Sequence, residues 1–69
     1  MKTREVLESL PKEHRKKLEE MRNYMRKAKT LGNHQMEKEY RMQGCGYIRC
    51  LEASGIVEEF RTLWIWFTL

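Results

Sequence analysis

The chain has 69 residues, 41% of them hydrophobic and 35% charged, with a formal net charge of +4. That length allows one domain and no second core, and so short a chain buries only about 60% of the surface it exposes when unfolded. The longest uninterrupted apolar run, Leu63 to Phe67, is far short of the roughly 20 residues that a membrane span needs. No charged n-region followed by an apolar segment opens the sequence, so no secretory signal is expected. The two cysteines, Cys45 and Cys50, are five positions apart on one predicted helix and point to different sides of it, which rules out an intrachain bridge. These features predict a cytoplasmic protein with reduced thiols, and a partner or a second copy as the source of extra stability.

Hydrophobic spacing predicts an all-α fold, with residues 1–69 as a single helical domain. Thr3 can cap a short first helix running to Ser9, with Val6, Leu7 and Leu10 as its apolar side. Pro11 restricts Leu10 and suits the first turn of a second helix. Along that helix Leu18, Met21, Met25 and Ala28 recur at three, four and three, a heptad seam. Gly32 and Asn33 end it, because both tolerate the left-handed conformation that closes helices.

The third helix, about residues 34–53, repeats the spacing with Met36, Tyr40, Gln43, Tyr47 and Cys50. Two matched seams joined by a short break predict an antiparallel helical hairpin. Counting back from the turn sets Met25 near Tyr40, Met21 near Gly44 and Leu18 near Tyr47, with Lys29 beside Glu37. Gly44 and Gly46 fall opposite Met21 and Tyr24 in this register, and the pair indicates a close helix crossing or a kink. Ile48 and Leu51 lie off the seam, so the third helix has a second apolar side and belongs in the middle of the fold. Ser54 and Gly55 end it. Ile56 is expected to open a short aromatic C-terminal helix with Glu58 and Glu59 in its first turn, where carboxylates favour the helix dipole.

The chain ends Leu63-Trp64-Ile65-Trp66-Phe67-Thr68-Leu69. Each helical step turns about 100°, so five successive apolar residues point all round the helix. Leu63, Trp64 and Phe67 can face the hairpin, which leaves Ile65 and Trp66 without cover. An exposed patch of that kind marks an interface, and tryptophan is enriched at binding hot spots. Leu63, Trp64, Ile65, Trp66, Phe67 and Leu69 are therefore the expected protein-binding or dimer-forming residues. The bland alternative is that residues 1–10 fold over this side with Val6, Leu7 and Leu10.

Basicity is confined to the first half. Residues 1–33 carry ten Lys or Arg against five Glu, and residues 34–69 carry four against five. Arg15, Arg22 and Lys29 recur every seven residues, with Arg26 beside them, forming a stripe that can meet successive phosphates. Glu13, Glu19 and Glu20 interrupt it, and Glu13 can pair with Lys17 instead. A helix-turn-helix with its turn at Gly55 would put aromatics and Arg61 alone into a groove, the wrong chemistry for base readout. Nucleic-acid binding through the basic helix 12–29 is the second functional reading.

Catalysis finds little support. The chain has no aspartate and two lone histidines, His14 and His34, so no nucleophile is offered an oriented base. Cys45 and Cys50 match no common zinc spacing, and Gly44-x-Gly46 follows no strand and continues into no phosphate loop. No metal, cofactor or small-molecule substrate is expected. Membrane attachment through Trp64, Trp66 and Phe67 is disfavoured by the flanking Glu58 and Glu59.

The stretch Gly46-Tyr47-Ile48-Arg49-Cys50-Leu51-Glu52-Ala53-Ser54-Gly55-Ile56-Val57-Glu58-Glu59, followed by Leu63 and an aromatic-Thr ending, resembles short uncharacterised helical proteins of Firmicutes phages and prophages. Those share a Gly-Tyr-x-x-x-Leu-x-x-x-Gly-Ile/Val core, and the likeness covers about the last third of the chain. Where that family commonly has Thr or Ser before the glutamates, this chain has Val57, so the usual cap is missing. The resemblance implies a phage-borne accessory protein in the host cytoplasm, and it supplies no site residues. In that setting a regulator or inhibitor of a host protein is the natural role.

Overall fold

The computed structural model describes residues 2–69, which fold into four helices with no strand among them: α1 Lys2–Ser9, α2 Lys12–Thr30, α3 His34–Ala53 and α4 Phe60–Thr68. The antiparallel hairpin of α2 and α3 is the frame. Leu18, Met21, Met25 and Ala28 are buried on α2, the seam that the spacing predicts. Tyr24 stacks on Tyr40 across the hairpin with ring centroids 5.4 Å apart, one position from the predicted register.

The breaks between helices follow from a few backbone demands. Gly32 has φ +75°, a conformation that costs glycine nothing because it has no Cβ. It lets the Asn33 N–H donate to the Ala28 carbonyl at 2.9 Å and closes α2. Asn33 then serves the next helix as well, its Oδ1 accepting from the Met36 N–H at 3.1 Å. Gly55, with φ +78°, ends α3 in the same way, the Ile56 N–H donating to the Leu51 carbonyl at 3.0 Å. Pro11 stands at the N-cap of α2, one position before its first turn, with its carbonyl accepting from Arg15 at 3.0 Å. Helix α1 already includes Lys2, so Thr3 lies inside it rather than at its cap; the Thr3 side chain lies outside the described residues.

The start of α4 differs from the sequence expectation. The helix begins at Phe60, and Ile56 to Glu59 cross from α3 as irregular chain, with Glu59 extended at φ −129° and ψ 121°. Val57 is the reason, since its side chain turns into the core at 4% exposure and pulls the crossing inward, while Ile56 is left 42% exposed. The missing cap is supplied from another helix: Glu52 of α3 accepts from the Phe60 N–H at 2.8 Å. The carboxylate bonded to the α4 N-terminus, where the dipole favours it, is that of Glu52; Glu59 stands at the N-cap without a side-chain bond, and neither Glu58 nor Glu59 lies in the first turn.

Helix α4 packs across the hairpin and touches all three other helices, including α1. The centre of the molecule is therefore shared by α3 and α4, and not held by α3 alone. Leu18, Ile48, Leu63 and Phe67 are the fully buried side chains there, joined by Leu10, Leu51 and Val57. Gly44 is buried for this contact. A Cβ built on it would stand 2.8 Å from Phe67 Cε2 and closer still to Cζ, so the ring rests directly on the α3 backbone. The close crossing inferred from this glycine is real, but its partner is Phe67 of α4 rather than Met21 or Tyr24.

Candidate functional site

The aromatic end of the chain is more fully covered than its composition implies. Leu63 and Phe67 have no exposed surface and so cannot take part in an external contact. Trp64 is half-buried and stacked between Phe60 and Phe67, with centroids 5.5 and 5.9 Å away. Trp66, expected to be left bare, is also half-buried. The Arg22 guanidinium lies 5.0 Å from the Trp66 ring centroid, and Arg22 Nε donates to the Trp66 carbonyl at 3.0 Å. That carbonyl is in the last turn of α4, where positive charge favours the dipole. Arg49 holds the other end, 4.8 Å over the Phe60 ring, with its Nε 3.4 Å from Cys45 Sγ.

Helix α1 packs on α4 as well, as the bland alternative expects, but Ile65 stays half-exposed and Trp66 is met by Arg22. Only Ile65, 50% exposed, and Leu69, 73% exposed, project freely from the predicted set. Single exposed aliphatic side chains are ordinary on soluble proteins. The structure brings the six predicted interface residues onto one helix but divides them between core, edge and solvent.

The basic stripe is divided too. Arg22 is committed to Trp66, and its guanidinium is held below the usual arginine pKa, first by burial and then by the nearby charge of Arg26. Arg15 is half-buried, while Arg26 and Lys29 are exposed. Arg26 and Lys29 border one hollow with Arg41, Glu37 and Leu69. Among the described residues no Lys or Arg comes within 4.0 Å of a Glu; the one contact inside that limit is between His34 Nδ1 and a Glu37 carboxylate oxygen, at 3.9 Å. The predicted pairs Glu13 with Lys17 and Lys29 with Glu37 are thus not closed.

A largely apolar surface hollow lies elsewhere, on a side of the hairpin where no residue of α4 lines it. It runs between α2 and α3 and is lined by Met21, Met42, Gly46, Tyr47, Cys50 and Ile56, with Lys17 the only formally charged side chain at its edge. Met42 is 64% exposed, and Tyr24 and Met36 on the same two helices are 54% and 42% exposed. The sequence signal for this surface was the seam of Met36, Tyr40, Gln43, Tyr47 and Cys50, which reads as fully enclosed by the hairpin. In the fold it forms the hairpin's outer lip, because Gly44 and Ile48 turn to the core, where Phe67 of α4 meets Gly44, while Leu51 is buried at the floor of the hollow.

At the end of the hollow His14 Nδ1 is 2.7 Å from the Tyr47 hydroxyl. Burial pushes the Tyr47 pKa up, and the negative charge of Glu13 adds to the effect. A phenol whose folded pKa is raised contributes stability that is present below its unfolded value of about 10 and is lost as pH climbs through the folded value. Wild-type protein is therefore expected to lose stability relative to Tyr47→Phe as the pH climbs above the ordinary tyrosine value of about 10. Paired denaturant melts through that rise check it, and parallel curves would show that Tyr47 has no part in alkaline unfolding.

Cys45 and Cys50 are both free, the first half-buried and the second exposed. Among the described residues no group of three or more His, Cys, Asp or Glu is placed to hold a metal ion, and no helix is long and apolar enough to cross a membrane. Set against known proteins, the chain matches no family model, no curated protein and no solved structure.

Proposed function

We propose that this protein is a small non-catalytic helical module that acts by binding protein, through the open face of its hairpin. The observation that carries this reading is the apolar, nearly uncharged hollow between α2 and α3, on a chain whose net charge is +4. Depletion of charge at the centre of a patch is the compositional mark of an interface. The aromatic helix α4 serves this function mainly from inside, by holding the hairpin's other face, with Ile65 and Leu69 as its outward contribution. The phage-protein resemblance adds the biological setting, a regulator or inhibitor of a host protein in the host cytoplasm.

The test is a photoreactive amino acid placed singly at Met42, at Ile65 and at Lys27 in the cell that makes the protein. The expected result is a discrete protein adduct at Met42, a weaker one at Ile65 and none at Lys27. Equal or absent adducts at all three positions would overturn the reading.

Nucleic-acid binding is the second reading, favoured by the convergence of Arg26, Lys29 and Arg41 around one hollow in which Glu37 is the one acidic side chain among the described residues. It predicts retention on DNA or RNA that falls steeply with salt and is lost in Arg26→Glu with Lys29→Glu. Arg22, which holds Trp66, is not part of that test.

A further inference from the structure

Two glycines two residues apart in α3 behave in opposite ways. Gly44 is required by Phe67, whereas a Cβ on Gly46 would meet nothing within 4 Å. Glycine inside a helix costs up to about 1 kcal/mol relative to alanine, and nothing within the subunit compensates that cost at position 46. The residues that share its side of the helix are Gln35, Glu39, Met42, Arg49 and Ala53, every one of them exposed. Their spacing from residue 35 is four, three, four, three and four, the period of a helix-pairing seam.

We propose that this seam pairs with the same seam of a second copy, antiparallel, about a two-fold axis crossing α3 at the level of Gly44. The proposal rests on the protein-binding reading above and names its partner. An isologous contact requires a surface that complements itself when reversed. Reversal about residue 44 sets 42 against 46, 39 against 49 and 35 against 53. The 64% exposed Met42 then enters the gap left by Gly46 of the other copy, twice. Glu39, which has no cation within 4.0 Å among the described residues, meets Arg49 of the other copy, also twice. Arg49 is already steadied beside the seam by the Phe60 ring and Cys45. A parallel pairing would oppose Glu39 to Glu39 and Arg49 to Arg49, so charge selects the antiparallel one. Outside this seam the copies repel through their common positive charge.

The experiment is sedimentation equilibrium of the full chain with four variants, helix content being checked by circular dichroism. Wild type is expected to be a dimer. Glu39→Arg alone and Arg49→Glu alone each put like charges across the axis and weaken the dimer about tenfold or more. The double variant E39R/R49E exchanges the two charges and is expected to restore it. Gly46→Ala is expected to melt at a higher temperature as a monomer, yet to dimerise less. A monomer at every concentration up to millimolar, or a dimer indifferent to the single charge reversals, overturns the proposal. A monomer that still gives an adduct with a different protein at Met42 overturns the second copy as partner and leaves the protein-binding reading standing.

Discussion

Phe67→Ala is expected to abolish cooperative folding at ordinary temperature. The ring is fully buried, rests on the Gly44 backbone, and makes aromatic contacts with Trp64 and Trp66 at 5.9 and 6.3 Å. Truncating a buried phenylalanine to alanine costs about 3–5 kcal/mol. A domain of this length has a total stability of about 3–10 kcal/mol. The loss is concentrated where α4 crosses the hairpin, so the aromatic row and its two arginine clamps lose their seat together. Urea denaturation followed by tryptophan fluorescence checks this, since Trp64 and Trp66 both adjoin the ring. A variant that keeps a single sharp transition within about 1 kcal/mol of wild type would show that Phe67 does not anchor α4.

Gly44→Ala is the second large effect, and its sign is opposite to what helix propensity alone gives. Alanine is the better helix former by up to about 1 kcal/mol. At this position its methyl group would occupy space already held by the Phe67 ring, and overpacking of that kind costs about 1–3 kcal/mol. Net destabilisation is expected at residue 44, while the same change at residue 46, where a Cβ meets nothing, is expected to stabilise the monomer. The two positions therefore control for each other. Gly44 and Phe67 fill one space, so their changes are not additive: Gly44→Ala should cost less in the background of the milder Phe67→Leu than in wild type, and a double-mutant cycle measures that coupling. Equal penalties in both backgrounds would mean that the two residues do not meet.

Much of the fold is legible in the residues because it follows from local rules. The heptad spacing of Leu18, Met21, Met25 and Ala28 settles which side of α2 is buried, as it does on any helix whose apolar positions fall on one stripe. Gly32 and Gly55 mark the two helix ends because only a residue without Cβ adopts positive φ freely. The start of α4 is not legible in this way. Its cap, Glu52, lies eight residues earlier on another helix, and no local pattern connects a carboxylate to an N–H across a turn.

The surface shows the same division. A run such as Leu63 to Phe67 states how much apolar area must be covered, but not which element covers it. Sequence position assigns Arg22 to a solvent-facing basic stripe, and only the crossing of α4 over α2 turns it onto Trp66. That crossing also decides that α3 gives Gly44, Ile48 and Leu51 to the core and leaves Met42 and Gly46 outside.

Taken alone, then, the chain's own order of residues determined four helical segments, a hairpin and an excess of aromatic surface at one end, since period, turn chemistry and composition act over a few neighbours. Which face of the hairpin stays open was decided by tertiary packing. Phe67 can approach the α3 backbone only where a glycine admits it, and the side of the hairpin opposite that contact is left to water or to a partner.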